Sequence, residues 1–390
     1  MKPRVLFLDH TGGIGGAELI LLDVIKWHGA AGSVVLFADG PFRERLEEVG
    51  AEVRVLPAPG AVNRVSRKGK MVRNLRSGPG VLRLARRVAR LSEGYDLLYA
   101  NSQKAFVVGA LAGRIVGKPI IWHQHDLLTP DHFSRGHRRL AVALANHLVE
   151  RVIVNSRATA EAFVASGGRA EKVRLVYNGI DPAAFGSVVQ TEVDALRREL
   201  GLDGVPVVGV FSRLAPWKGQ HVLLEALTRL PGVHALLVGD AVFGEHAYAE
   251  ALRAQSKTLG IEDRVHFAGF RRDIPQLMRL SEVVAHTSVD PEPFGRVIVE
   301  GMLAGRPVVA TRAGGAVEIV EDGTSGVLVP PRDATALASA LSDLLADPAR
   351  ADALAEAGRE AALEFFSLRA MLEGITQQLQ EVAAGRQRGS

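Results

Sequence analysis

Residues 283–311 read VVAHTSVDPEPFGRVIVEGMLAGRPVVAT. An apolar run at 283–288 reads as a strand, 296–303 as a helix and 307–311 as a second strand. A strand, a crossover helix and another strand form a βαβ unit of a parallel sheet. The connecting loop places Glu292 and Glu300 eight positions apart, on either side of Pro293-Phe294-Gly295. If the helix starts near Gly295, Glu292 lies in the loop before it and Glu300 about a turn and a half inside. The open N–H groups and the dipole at that helix end suit a phosphate. The stretch therefore predicts a pocket for a ligand with an anion at one end and hydroxyls at the other.

The same alternation extends in both directions. In the first half, strands are expected at 4–10, 34–39, 52–57, 97–101, 119–125, 151–156 and 173–177, with helices at 17–31, 79–92, 104–116, 134–150 and 157–167. In the second half, strands are expected at 206–212, 234–239, 265–270, 283–288, 307–311 and 326–329. Helices there are expected at 220–229, 247–259, 274–280, 296–303, 334–345 and 353–365. Turn signals at Asn178-Gly179 and Asp181-Pro182 and a charged segment place the boundary within 178–204. A last amphipathic helix at 368–382 follows Ser367, a suitable N-cap. The expected class is α/β, with two Rossmann-like domains. Ligands in such sheets bind outside the carboxyl ends of the strands, so residues just after strands carry the information.

At 390 residues, 47% hydrophobic and 23% charged, the chain is expected to form two or more globular domains. With no cysteine, a disulfide framework and thiolate chemistry are excluded. The opening MKPRVLFLDH is too short in apolar core for a signal peptide. No apolar run approaches the ~20 residues of a membrane-spanning helix. The expectation is a soluble, cytoplasmic protein. The net charge is only +4, yet ten Lys/Arg and no acidic residue fall between Gly60 and Ser92. Arg67, Lys68, Lys70 and Arg73 are its centre. Two readings stay open: a solvated basic loop and helix, or a patch for anionic lipid or a phosphorylated acceptor through residues 64–90. Nucleic acid is disfavoured, because no aromatic lies in that stretch to stack bases.

Several groups follow strands. Gly12-Gly13-Ile14-Gly15-Gly16 precedes a helix and permits close backbone approach to a phosphate, but it is not a GxGxxG fingerprint. Asp39, after the second strand, is the position where such a fingerprint expects an acid. Arg213 and Lys218 stand five apart ahead of a helix and suit a diphosphate, or else belong to a surface ion-pair set. His123 and His125 share a strand face, so a metal pair is imaginable, but no third ligand is obvious. No Asp-x-Asp motif follows a strand, and no Gly-x-Ser-x-Gly elbow occurs.

Together these residues resemble the retaining glycosyltransferases of the GT-B fold, in particular family 4. The family's Glu-x7-Glu signature is similar to Glu292…Glu300, with Ala304-Gly305-Arg306-Pro307, Gly314-Gly315…Glu318 and Asp322-Gly323…Gly326 around it. Its Arg…Lys-Gly is similar to Arg213…Lys218-Gly219, and its Asn-Gly-Ile-Asp hinge to Asn178-Gly179-Ile180-Asp181. Gly15-Gly16-Ala17-Glu18 and His125-Asp126 resemble its first-domain motifs.

The resemblance implies an N-terminal acceptor domain, 1–182, and a C-terminal donor domain, 200–366, facing across a cleft. A C-terminal helix, 367–384, would cross back to the first domain. It implies that Arg213 and Lys218 neutralise the diphosphate of a UDP- or GDP-sugar. Glu292 would orient the sugar with backbone groups of Phe294 and Gly295 beside it. Glu300 would take the ribose, Val297 N–H the phosphate, Gly15 and Gly16 the diphosphate, and His125 the sugar and acceptor. Transfer to an acceptor hydroxyl, in glycan, glycolipid or specialised-metabolite glycoside synthesis, would retain configuration at the front face. No metal and no cofactor beyond the nucleotide-sugar co-substrate would be needed. The acceptor would be a sugar, lipid or small molecule, and the enzyme would be cytoplasmic or peripheral at the inner membrane face. Rival readings are a nucleotide-sugar epimerase or phosphorylase of similar plan, and a basic lipid- or nucleic-acid-binding protein with an inactive sugar site.

Overall fold

The computed structural model describes residues 2–58, 78–242 and 244–387. The chain divides into two compact units, Met1–Gly179 with Arg369–Ser390, and Ile180–Leu368. In the first unit, among the described residues, seven strands form one parallel sheet. They are β1 (Val5–Asp9), β2 (Gly32–Leu36), β3 (Glu52–Val55), β4 (Leu97–Ala100), β5 (Ile120–Gln124), β6 (Arg151–Val154) and β7 (Val173–Leu175). Their order is β3-β2-β1-β4-β5-β6-β7. Strand order reverses between β1 and β4, which is where doubly wound sheets open a crevice.

The reason for this sheet lies in its strands. VLFLD and LLYA are buried at every position, as expected when helices cover both faces. Edge strand β3 alternates exposed and half-buried residues. Trp122 and Phe106 stack at 4.1 Å in the core between β5 and the helix Gln103–Val116.

The second unit repeats the plan with β8 (Val207–Phe211), β9 (His234–Val238), β10 (Val265–Gly269), β11 (Val283–His286), β12 (Val308–Thr311) and β13 (Val327–Val329). Their order is β10-β9-β8-β11-β12-β13, again all parallel. Here the reversal lies between β8 and β11. The helix Arg296–Leu303 has the bounds expected of it.

Among the described residues, four short α-helices were not expected: Pro41–Glu48, Ala183–Gly186, Gln190–Glu199 and Ala316–Ile319. Gln190–Glu199, read only as a charged connection, belongs to the second unit and buries a single residue, Val193. One buried side chain in ten residues leaves little apolar period to detect.

The C-terminal helix Leu368–Gln387 joins the first unit from Arg369 onward. Its Met371, Leu372, Ile375, Leu379 and Val382 are buried. Thr376 Oγ1 accepts from Trp27 Nε1 at 3.1 Å, and Gly179 N–H donates to Met371 Sδ at 3.1 Å. Within the described residues, no helix is long and apolar enough to cross a membrane.

Candidate functional site

Each unit gathers polar side chains at the carboxyl ends of its central strands. In the second unit the focus is Glu292, in the loop after β11. Its Oε1 accepts from Lys218 Nζ at 2.7 Å, from His286 Nε2 at 2.8 Å, and from Ser288 Oγ. The residue is only 8% exposed. Burial by itself would raise its pKa, but the charges and hydrogen bonds of Lys218 and His286 outweigh it and hold the carboxyl well below the usual range. All three contacts fall on one oxygen. An ionised carboxylate has two oxygens with about four acceptor sites, so Oε2 still has acceptor capacity for a ligand hydroxyl.

The loop is held by close backbone contacts. Gly315 N–H donates to the Glu292 carbonyl at 2.8 Å. At Gly314, φ is +58° and a Cβ would stand 2.2 Å from that same carbonyl oxygen, so only glycine fits. Gly295, at φ 106°, caps the helix Arg296–Leu303. Phe294 and Val297 are buried, and Phe294 meets Phe366 edge-on at 5.7 Å. Ile298 N–H donates to the Gly295 carbonyl at 3.0 Å, and the N–H groups of the first two helical residues, Arg296 and Val297, precede any intrahelical acceptor.

Lys218 ends a short 3₁₀ turn, Pro216–Lys218, and its ammonium lies 4.3 Å from the Trp217 ring centroid. The Arg213 guanidinium lies 5.1 Å from the same ring, and its Nε is 4.0 Å from Glu245 Oε2. Thr287 Oγ1 donates to the Lys218 carbonyl at 2.8 Å, and Val289 N–H to that of Trp217 at 2.9 Å. The Lys218 turn and the Glu292 loop are therefore tied together through backbone. Buried Gln220 donates from Nε2 to Ser212 Oγ and the Arg213 carbonyl, both at 2.9 Å.

The structure thus joins Lys218 to Glu292 directly and sets Arg213 beside Lys218 across Trp217. Glu300 has a different neighbour: its ion pair is with Arg296, 3.4 Å away on the same helix.

In the first unit, Gly15 caps the helix Gly16–His28. Asp39 turns to local work, accepting from Gly40 N–H at 2.9 Å and pairing Arg43 at 3.3 Å. His125 follows β5, half-buried, with Nε2 2.9 Å from Asn101 Oδ1. Burial pushes its pKa down to about 4, against the opposing charges of Asp126 and Asp9. The His123 ring lies 3.9 Å away, and its Nδ1 meets the Tyr99 hydroxyl. Among the described residues, no group of three or more His, Asp or Glu that could hold a metal ion is present.

Glu18, one turn into that first helix, is buried. Desolvation first, and the charge of Asp9 second, raise its pKa to about 7. A raised acid pKa favours folding fully below the unfolded value near 4.5, and this contribution is lost as pH rises through 7. Glu18→Gln is therefore expected to stabilise the fold at pH 8, by on the order of 3 kcal/mol, seen as a higher melting temperature, and to give no gain near pH 4. Melting curves of both proteins at the two pH values check this.

Arg67, Lys68, Lys70 and Arg73 lie outside the described residues. The described part of that basic run, Arg83, Arg86, Arg87 and Arg90, is exposed on the helix Gly78–Leu91, which buries Leu84, Ala85, Val88 and Ala89.

Sequence reasoning missed His286, Ser288, Gln220 and Asn101. His286 is the last residue of β11, and Asn101 and Ser288 follow strands by one and two residues. Their signal was their place at strand ends.

Two family models match the chain. The one described as Glycosyltransferase Family 4 matches residues 14–184, and Glycosyl transferases group 1 matches residues 192–361. Anabaena HepE, solved in complex with UDP and with UDP-glucose, is 43% identical. Its TM-score is 0.88, with 97% of this chain and 100% of that one covered. A D-inositol 3-phosphate glycosyltransferase of Xylanimonas cellulosilytica is 30% identical over 379 residues, 91% of this chain and 89% of the relative. The lipopolysaccharide core biosynthesis glycosyltransferase LpsE of Rhizobium meliloti is 34% identical over 228 residues. That match spans 58% of this chain and 63% of LpsE's length.

Proposed function

The chain belongs to the glycosyl transferases group 1 family, and from that premise we propose that it moves a sugar from a nucleotide-sugar donor to an acceptor hydroxyl. The observation that carries the proposal is the Lys218–Glu292 pair. It sets a cation and a hydroxyl-accepting carboxylate side by side, next to the open end of the helix Arg296–Leu303. One end of this arrangement suits a diphosphate and the other a sugar.

Lys218 has three N–H donors, so it can bond Glu292 and a phosphate oxygen together. Arg213 adds a second cation, and the N–H of Val297 a dipole end. These groups stabilise the charge that collects on the leaving diphosphate as the glycosidic C–O bond breaks. Glu292 aligns the sugar hydroxyls through Oε2, with backbone groups of Phe294 and Gly295 beside it, and Glu300 takes the ribose. Gly15 and Gly16 let backbone approach the diphosphate, and His125 meets the sugar or the acceptor.

The leaving phosphate oxygen takes the acceptor proton on the face it departs from, so configuration is retained. Glu292 is then an orienting group and not a covalent nucleophile. The cations and the helix end take the place of a metal in this scheme. The likeness to HepE, whose complexes contain UDP and UDP-glucose, makes UDP-sugars the first donors to test and GDP-sugars the second.

A thermal-shift screen of nucleotides and nucleotide sugars tests the proposal. One nucleoside diphosphate is expected to raise the melting temperature, and its cognate sugar nucleotide to raise it further. At a hundredfold excess over Kd the shift corresponds to about 2.7 kcal/mol. No shift with any nucleotide sugar at millimolar concentration would remove the donor site.

A further inference from the structure

Asn101 is fully buried at the end of β4. Its Nδ2 lies 2.7 Å from Asp9 Oδ2 and 3.1 Å from the Ala17 carbonyl oxygen. A carboxylate and a carbonyl only accept, so the amide nitrogen must face them and Oδ1 must face away. Oδ1 lies 2.9 Å from His125 Nε2. A carbonyl oxygen cannot donate, so Nε2 carries the hydrogen. Asp9 is itself anchored: it is fully buried, and its Oδ1 accepts the backbone N–H groups of His10 and Thr11. The His125 ring, its pKa near 4, is neutral at physiological pH. In the Nε2–H tautomer a neutral imidazole presents a lone pair at Nδ1. The charged and titratable groups around it are Asp9, Asp126 and His123, with Glu18 and His10 beyond Asp9.

We propose that Asp9 and Asn101 are positioning residues that lock His125 in one tautomer, so that its Nδ1 accepts a hydrogen bond from a substrate hydroxyl. The proposal rests on the assignment of His125 to the sugar or the acceptor. An amide wedged between a carboxylate and an imidazole decides the tautomer without adding charge beside the ring. A neutral acceptor holds a hydroxyl without placing a positive charge near a sugar that becomes cationic in the transition state.

The test is ¹⁵N NMR of the full chain labelled at histidine, with the His125 signals identified by their loss in His125→Gln. At neutral pH, Nε2 is expected to show a pyrrole-type shift and Nδ1 a pyridine-type shift, both unchanged down to about pH 5. The reverse pattern, or an average of the two tautomers, overturns the proposal.

Asp9→Asn sharpens the test. The His10 and Thr11 N–H groups keep an oxygen at the Oδ1 position, which places an NH₂ group opposite Asn101 Nδ2. Two donors cannot face each other, while the Ala17 carbonyl still favours the amide nitrogen; the lock on Asn101 is therefore weakened, and whenever the amide turns over, its NH₂ obliges His125 Nε2 to accept. The single Nε2–H tautomer is expected to give way to a mixture of the two, and kcat/KM for transfer to fall about 10- to 100-fold, the cost of a good hydrogen bond replaced by an opposed one. Affinity for the nucleoside diphosphate alone stays within a few-fold. If the hydroxyl belongs to the transferred sugar, sugar-nucleotide binding weakens relative to the diphosphate. If it belongs to the acceptor, the acceptor KM rises instead. An Asp9→Asn protein with an unchanged tautomer, or with neither affinity altered, overturns the proposal. The wild-type NMR pattern is read without turnover, so a failure of the glycosyltransferase assignment would leave it intact and separately visible.

Discussion

Lys218→Ala is expected to lower kcat/KM for nucleotide-sugar turnover by about 10³-fold. Removing one preorganised donor from a developing anion typically costs 10²–10³-fold. Lys218 is a full charge, mostly shielded from water by Trp217 and the Glu292 loop, and belongs at the upper end. Arg213→Ala should cost less, because that guanidinium is 36% exposed and shares its charge with Glu245. The Lys218 variant carries a second consequence. Glu292 keeps His286 and Ser288 but loses its permanent cation, and breaking a buried pair destabilises by up to about 3–5 kcal/mol. Melting curves beside the kinetics separate the two effects. Lys218→Arg should recover stability more than rate, since a planar fork cannot reproduce a point charge at the same place. Turnover unchanged in Lys218→Ala would remove Lys218 from the diphosphate.

The second large effect is at Glu292. Glu292→Ala is expected to cut kcat/KM with the sugar nucleotide by about 10²–10³-fold, a loss of roughly 3–4 kcal/mol of transition-state binding. Affinity for the nucleoside diphosphate without its sugar should change only a few-fold, because the carboxylate is assigned to sugar hydroxyls. An equal loss for both ligands would mean that Glu292 serves only to position Lys218. The pH dependence follows from the same contacts. With its folded pKa depressed, Glu292 contributes stability above its unfolded value near 4.5, and that contribution is lost as pH falls through the lower folded value. Between pH 5 and 8 it stays ionised and adds no acid limb to the rate profile.

The fold was legible in the sequence because buried parallel strands are apolar on both faces. VLFLD, LLYA and VVGVF stand out against the helices between them. The helix Arg296–Leu303 was placed to the residue, since Gly295 and Gly305 punctuate it. The Gln190–Glu199 helix escaped because it buries only Val193. In the candidate site, the Glu292 and Lys218 motifs were legible, but their direct contact was not. The two residues are 74 positions apart and meet only because β8 and β11 are neighbours in the sheet. Asp9 and Asn101 are 92 positions apart and meet for the same reason, through the pairing of β1 with β4. No local pattern marks an Asn or a His as the partner of a remote carboxylate. Their place at a strand's carboxyl end is the only local sign.

The most direct test of the donor assignment is release of nucleoside diphosphate from UDP-glucose and the other nucleotide sugars, with and without candidate acceptors. The wild-type chain and the Arg213→Ala, Lys218→Ala double variant are measured together. The wild type is expected to show acceptor-stimulated release from one donor, and the double variant a drop of at least 10³-fold. Equal release by both proteins, or conversion of the donor to another nucleotide sugar with no acceptor present, would contradict the donor assignment.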